Sequence, residues 1–172
     1  MRKNVFLFGI AALFGALHAD SHFCPLGPSH ARAFSVLPQL VLPKEAVRLE
    51  KVSSQSCEVD LSLAPTFGLV LFKRSGTYKI VWHGQTRSPL SLSWSLGFSL
   101  DGLVLFSNQY GTLGCHNHPQ KFEGSVVLSV NAGQTLRLVN SSAHPIELVP
   151  IRSDSKAAFP SFVLKIDRYG PC

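Results

Sequence analysis

The chain predicts an all-β domain, and three observations predict it. Apolar residues alternate with polar ones in short runs; turn formers separate those runs; and no stretch past the first twenty residues has the i, i+3, i+4 apolar spacing of a helix. The clearest run is "LSLSWSL", where Leu90, Leu92, Trp94 and Leu96 point one way and serines the other, as on a half-buried strand. Roughly eight to ten such strands make a sandwich, a jelly roll or a barrel.

Taken in order, residues 1–19 read as a secretory leader. Arg2 and Lys3 form a basic start, Val5 to Leu17 is almost wholly apolar, and Ala19 offers a small residue before a cut at Asp20. The stretch is too short for a membrane span, and no later run approaches about 20 unbroken apolar residues. The expected destination is outside the cytoplasm: secreted, periplasmic or cell-surface. Residues 20–32, "DSHFCPLGPSHAR", read as an N-terminal arm, and residues 33–172 as one β domain.

Within that domain Val59, Leu61 and Leu63 alternate with Asp60 and Ser62, and Tyr78, Ile80 and Trp82 form the next alternating strand. "LSLSWSL" follows, then "GSVVLSV" (124–130), "QTLRLV" (134–139), "IELVPI" (146–151) and "SFVLKI" (161–166). The turns are Ser75-Gly76, Asp101-Gly102, Asn131-Ala132-Gly133, Asn140-Ser141-Ser142 and the run from Arg152 to Ser155. Trp82 and Trp94 lie inside alternating strands and read as core, which leaves Tyr110 and Tyr169 as the exposable aromatics.

Composition narrows the function classes. Arg2 and Lys3 fall in the leader, so 14 of the 16 basic residues remain against 10 acidic ones, and the net charge drops from +6 to +4. Lys73-Arg74 is the only adjacent basic pair, and no basic stripe interleaves with aromatics, so no nucleic-acid partner is expected. The acidic residues are dispersed; there is no G-x-S-x-G elbow and no H-E-x-x-H. No catalytic residue is assigned, and no enzyme is expected. "NSS" at 140–142 matches a glycosylation acceptor, read by default as an ordinary turn.

Cys24, Cys57, Cys115 and Cys172 survive removal of the leader, an even count that in an exported protein suggests disulfides with three possible pairings. Cys24 and Cys172 lie near the two ends and would close the fold if the termini meet. The segment "GCHNHP" raises a competing reading. Cys115 and His118 have the loop spacing of a copper site, with His83 as the further ligand, but the mature chain lacks methionine, and His144 follows the loop instead of preceding it. Zinc wants a second ligand pair, and none is nearby. No cofactor is assigned; a monomeric copper- or zinc-binding β-sandwich using Cys115 and His118 stands as the alternative. A carbohydrate-active jelly roll is a third reading.

Residues 33–169 resemble, as a whole, the head domain shared by complement component one-q and the tumour necrosis factor superfamily, and within it the bacterial branch that caps collagen-like spore-surface and phage-fibre proteins. "AFSVLPQLVLPKEAVRLEKV" is similar to the family's first two strands, and "FGLVLFKRSGTYKIVWHG" to its next hairpin. "FSLDGLVLF" stands at a strand ending in a tight turn. "FEGSVVLSVNAGQTLRLVN" matches a Ser-rich strand, glycine turn and strand, with Gln134 where Asp is usual; "SFVLKIDRY" matches the closing strand.

The resemblance implies a two-sheet jelly-roll sandwich of about ten antiparallel strands that assembles as a homotrimer. It further implies binding of a protein or glycan through loops or grooves between subunits. The segment around Tyr110, His116, Asn117 and His118 falls in the family's variable exposed loop and becomes the candidate partner-binding loop. Val81, Val127 and Val139 sit on the opposite strand parity to their apolar neighbours, and Val81 and Val139 are the candidate subunit contacts. The departure is the stem: only about a dozen residues of arm precede the head, with no collagen repeat.

Overall fold

The computed structural model describes residues 30–87, 94–110, 119–152 and 158–169. Cys24, Cys115 and Cys172, residues 1–19, and His116, Asn117 and His118 lie outside them. Two antiparallel sheets pack face to face. The first contains β1 (His30–Ser35), β2 (Gln39–Val41), β3 (Lys51–Ser54), β6 (Gly76–Arg87), β9 (Gln120–Val130), β11 (Ile146–Leu148) and β14 (Phe162–Arg168). The second contains β4 (Val59–Asp60), β5 (Leu69–Phe72), β7 (Trp94–Leu100), β8 (Leu103–Tyr110) and β10 (Thr135–Asn140), in the order β4-β5-β10-β7-β8. A two-stranded ribbon, β12 (Ile151–Arg152) with β13 (Ala158–Phe159), stands apart.

The first sheet runs β3-β1-β14-β6-β9, and β11 takes over from β14 along the far end of β6, carrying β2 with it. The connections cross between the sheets, which makes the sandwich a jelly roll. His30 is opposite Asp167, so the described chain enters and leaves at the same end. We call the other end, where β6 stops at Arg87, the apex.

Strand alternation places the core. Tyr78, Ile80 and Trp82 of β6 are fully buried and face Leu96 and Phe98 of β7. The aromatic rings lock the sheets together: Trp82 meets Phe98 edge-on at 4.6 Å, Trp94 meets Phe122 at 4.9 Å, and Phe72 meets Tyr78 at 4.8 Å. Such contacts add specificity of angle to the large apolar area these side chains bury. Both tryptophans are therefore core, as their positions in the alternation predict.

One expected strand is cut short. The alternation through Leu63 predicts a strand, but β4 ends at Asp60, and residues 64–67 form a single helical turn, α1 (Ala64–Phe67). The cause is local: the Asp60 carboxylate accepts from the Ser62 backbone N–H at 2.9 Å, starting a turn, and a proline occupies the first helical positions. Gly68 ends the helix at φ 62°, and a Cβ there would lie 2.3 Å from the Val47 carbonyl oxygen.

The Asp101-Gly102 turn behaves as predicted. Both residues have positive φ, 48° and 87°, as the two-residue hairpin joining β7 to β8 demands. Asp101 also accepts from the Thr135 N–H at 2.8 Å and from the Gln134 amide at 2.9 Å. Gln134 thereby ties two neighbouring turns, because its side-chain oxygen accepts from the Asn131 N–H at 2.7 Å.

Cys57 is disulfide-bonded.

Candidate functional site

The inward parity of the first sheet is spent on the core, so its outward parity carries most of the exposed side chains of that sheet. Three rows of cross-strand neighbours run over it: His30–Asp167–Lys79–Val127, Arg32–Lys165–Val81–Ser125, and Phe34–Val163–His83–Glu123. Charged side chains gather in the first two rows, which end on Val127 and on Val81 with Ser125, while the third begins with Phe34 and the buried Val163 before reaching His83 and Glu123. Lys165 and Asp167 neutralise each other at 2.9 Å. Between β6 and β9 a cavity of about 380 Å³ is lined by Lys79, Val81, Glu123, Gly124 and Ser125.

His83 sits in this surface, and its environment resists a positive charge. Partial burial holds its imidazole below its ordinary pKa, the Arg32 guanidinium adds to that, and the Glu123 carboxylate opposes it. Among the described residues no group of three His, Cys, Asp or Glu side chains could hold a metal ion. His83 thus has no such set of ligands around it there, and Cys115 and His118 lie outside those residues.

Among the described strands, the sandwich also ends on one side in two edges that no further strand pairs. The ring contact of Phe122 with Trp94 lays β9 over β7, and β8 is the outer neighbour of β7. Among the described strands, β8 ends the second sheet, while β9 pairs only with β6 in the first. Leu103, Val104 and Leu105 on β8 are 72%, 56% and 52% exposed, and Val127 on β9 is 47% exposed.

The candidate contact valines do not lie together. Val81 is half-buried on the outward face of the first sheet, beside Lys165 and Ser125. Val139 belongs to the second sheet, bridges to Ala46, and keeps only 7% of its surface. Val127, on the unusual parity but not chosen as a contact, is the exposed one. Tyr110 ends β8 opposite Trp94. Tyr169 is exposed, as expected.

Sequence reasoning missed a second feature at the apex, where Gln85 and Arg87 of β6 stand beside Glu147 of β11 around a pocket. Gln85 and Arg87 follow the outward parity of an amphipathic strand and so give no sign of it; only the pairing of β6 with β11 brings Glu147 there.

No family model matches the sequence, and no curated protein matches it. Solved structures do. The globular domain of zebrafish complement 1qA is similar at TM-score 0.55 and 11% identity, over 82% of this chain and 95% of that one. The Eiger TNF of S. frugiperda is similar at TM-score 0.59 and 12% identity, over 84% and 94%. Murine APRIL, solved at pH 5.0, is similar at TM-score 0.53 and 9% identity, over 83% and 100%. The chain has the jelly-roll fold of complement one-q and TNF-like head domains.

Proposed function

We propose that this chain is an exported, non-enzymatic recognition head that works as a homotrimer and binds a protein or glycan partner through loops or grooves between its subunits. The observation that carries the reading is the pair of open edges, β8 and β9, on one side of the sandwich, with Leu103, Val104, Leu105 and Val127 exposed there. An isolated chain with unpaired strand edges of this apolarity invites association, and a closed ring satisfies it without runaway growth. The head-domain fold supports the same conclusion, since the family resemblance implies a trimer. The leader-like start and the disulfide at Cys57 favour an oxidising compartment outside the cytoplasm.

Light scattering on the mature protein, with metal analysis of the same sample, tests the reading. The expected result is a metal-free trimer that Val127→Lys or Val104→Lys converts to monomer. A monomeric wild type overturns the assembly, and a monomer carrying one equivalent of copper or zinc replaces it with the Cys115–His118 reading.

A further inference from the structure

We propose that the apical pocket at the end of β6 binds a small zwitterion of the α-amino acid class. The pocket encloses about 340 Å³ and is built by β6, β11 and three flanking prolines, Pro38, Pro119 and Pro150. The backbone of Gln85 is satisfied internally: its N–H donates to the Ser161 carbonyl at 3.0 Å, and its carbonyl accepts from the Val149 N–H at 2.9 Å. What remains for a ligand is side-chain chemistry.

Three groups remain. Gln85 is only 8% exposed, lines the cavity, and its side-chain carbonyl oxygen is buried without a donor among the described residues. A buried acceptor of this kind calls for a donor brought by something else. Arg87 and Glu147 are direct cross-strand partners on the same face. Opposite charges so placed ordinarily pair. Yet the ion pairs among the described residues are Lys73–Asp60, Arg74–Glu58, Lys165–Asp167 and Arg168–Glu58, and neither Arg87 nor Glu147 joins one.

A cation, an anion and a buried acceptor around one small cavity select for a ligand with both charges. A simple anion would meet Glu147, and a simple cation would meet Arg87. An α-amino acid satisfies all three groups. Its carboxylate suits the planar fork of Arg87, and its ammonium has N–H groups enough for both Glu147 and the Gln85 oxygen. The prolines supply rigid walls without competing backbone donors, so little ordering is needed on binding. A sugar would want an aromatic ring to stack on, and among the described residues none lines the pocket. The site goes beyond the recognition reading by adding a small-molecule ligand to it. Because its walls come from one chain, it does not depend on the trimer.

The test is calorimetric titration of the mature protein with the free α-amino acids, glycine and proline included, and with glycine betaine as the control that keeps both charges but has no N–H. Saturable one-to-one binding by one or more amino acids is expected, with none by betaine. Arg87→Gln and Gln85→Leu should each weaken binding about tenfold or more, the loss expected for a hydrogen bond to a charged group. Arg87 is exposed, so its variant tests the site even if Gln85→Leu fails to fold. Absence of binding by every amino acid overturns the proposal, as does equal binding of betaine or undiminished binding by Arg87→Gln. Light scattering on the same samples separates the two readings: a trimer that binds no amino acid sinks the pocket alone, and a monomer that binds one sinks the trimer alone.

Discussion

The side-chain nitrogen of Asn140 donates to the carbonyl oxygen of Val41 at 2.9 Å, joining the end of β10 in one sheet to the end of β2 in the other. The same nitrogen donates to the His144 carbonyl at 2.7 Å, and the Asn140 side-chain oxygen accepts from the Ser142 N–H at 2.9 Å. Asn140 is fully buried, so each of these bonds replaces water. Asn140→Ala takes a donor from the Val41 and His144 carbonyls, the latter keeping the Ser142 hydroxyl, and an acceptor from the Ser142 N–H, and should cost about 2–4 kcal/mol. Urea unfolding of the variant checks this through its midpoint. The burial also overrides the "NSS" pattern: expression in a glycosylating host should add no glycan mass at this position.

Glu58 makes a second long-range tie. Its carboxylate oxygen accepts from Arg74 at 2.9 Å and from Arg168, 110 residues away, at 3.0 Å, while Glu58 itself is 5% exposed. Removing the shared anion leaves Arg168 partly buried without its counter-charge, so Glu58→Ala should cost about 3 kcal/mol. Arg74 is mostly exposed, and Arg74→Ala should cost no more than about 1 kcal/mol. Denaturant unfolding of Glu58→Ala, Arg74→Ala and Arg168→Ala should rank them in the order Glu58, Arg168, Arg74.

These two ties also mark the boundary of what the sequence discloses. Period-two alternation declares Tyr78, Ile80, Trp82, Trp94 and Leu96 as core because each strand's burial is written into its own neighbours. Asp101-Gly102 declares its hairpin for the same local reason. Nothing near Asn140 announces Val41, and nothing near Glu58 announces Arg168, because those contacts exist only once the sheets have closed. The apical pocket is invisible for the same cause: Gln85, Arg87 and Glu147 each look like an ordinary residue on a wet strand face. Val139 misleads differently. Its parity sets it off the core correctly, but the segment at Ala46 runs beside β10 at that point, and Val139 ends up buried within its own chain.

Gly84 breaks the alternation in β6 for a packing reason. A Cβ built there would lie 2.7 Å from the Phe122 ring, 2.9 Å from the Ser161 carbonyl oxygen and 3.0 Å from the Phe162 ring. The glycine therefore lets two rings, 6.1 Å apart at their centroids, close over the strand. Gly84→Ala forces the rings or the backbone apart and should cost about 1–3 kcal/mol, the usual range for overpacking. Thermal unfolding measures it, and a Phe122→Leu change in the same chain should recover part of the loss by opening the space.

His83 gives the fold a pH dependence whose sign follows from its surroundings. Its folded pKa lies below the ordinary 6.5, because burial and then Arg32 disfavour the imidazolium more than Glu123 favours it. The unfolded chain therefore binds the proton more readily. The stability tied to neutral His83 is fully present above about pH 6.5 and declines as the pH falls from there toward the folded pKa. His83→Gln should flatten that part of the stability curve, and an NMR titration of the ring should find its midpoint under 6.5. The titration also reports on assembly, since Arg32, Lys79, Lys165 and Glu123 share the face with His83. If that face packs against a neighbouring subunit, further burial lowers the midpoint again. Val127→Lys, by freeing the subunits, should then raise the midpoint toward 6.5 even though it adds a positive charge nearby. A midpoint that stays put or falls would show that this face is open to solvent in the wild type.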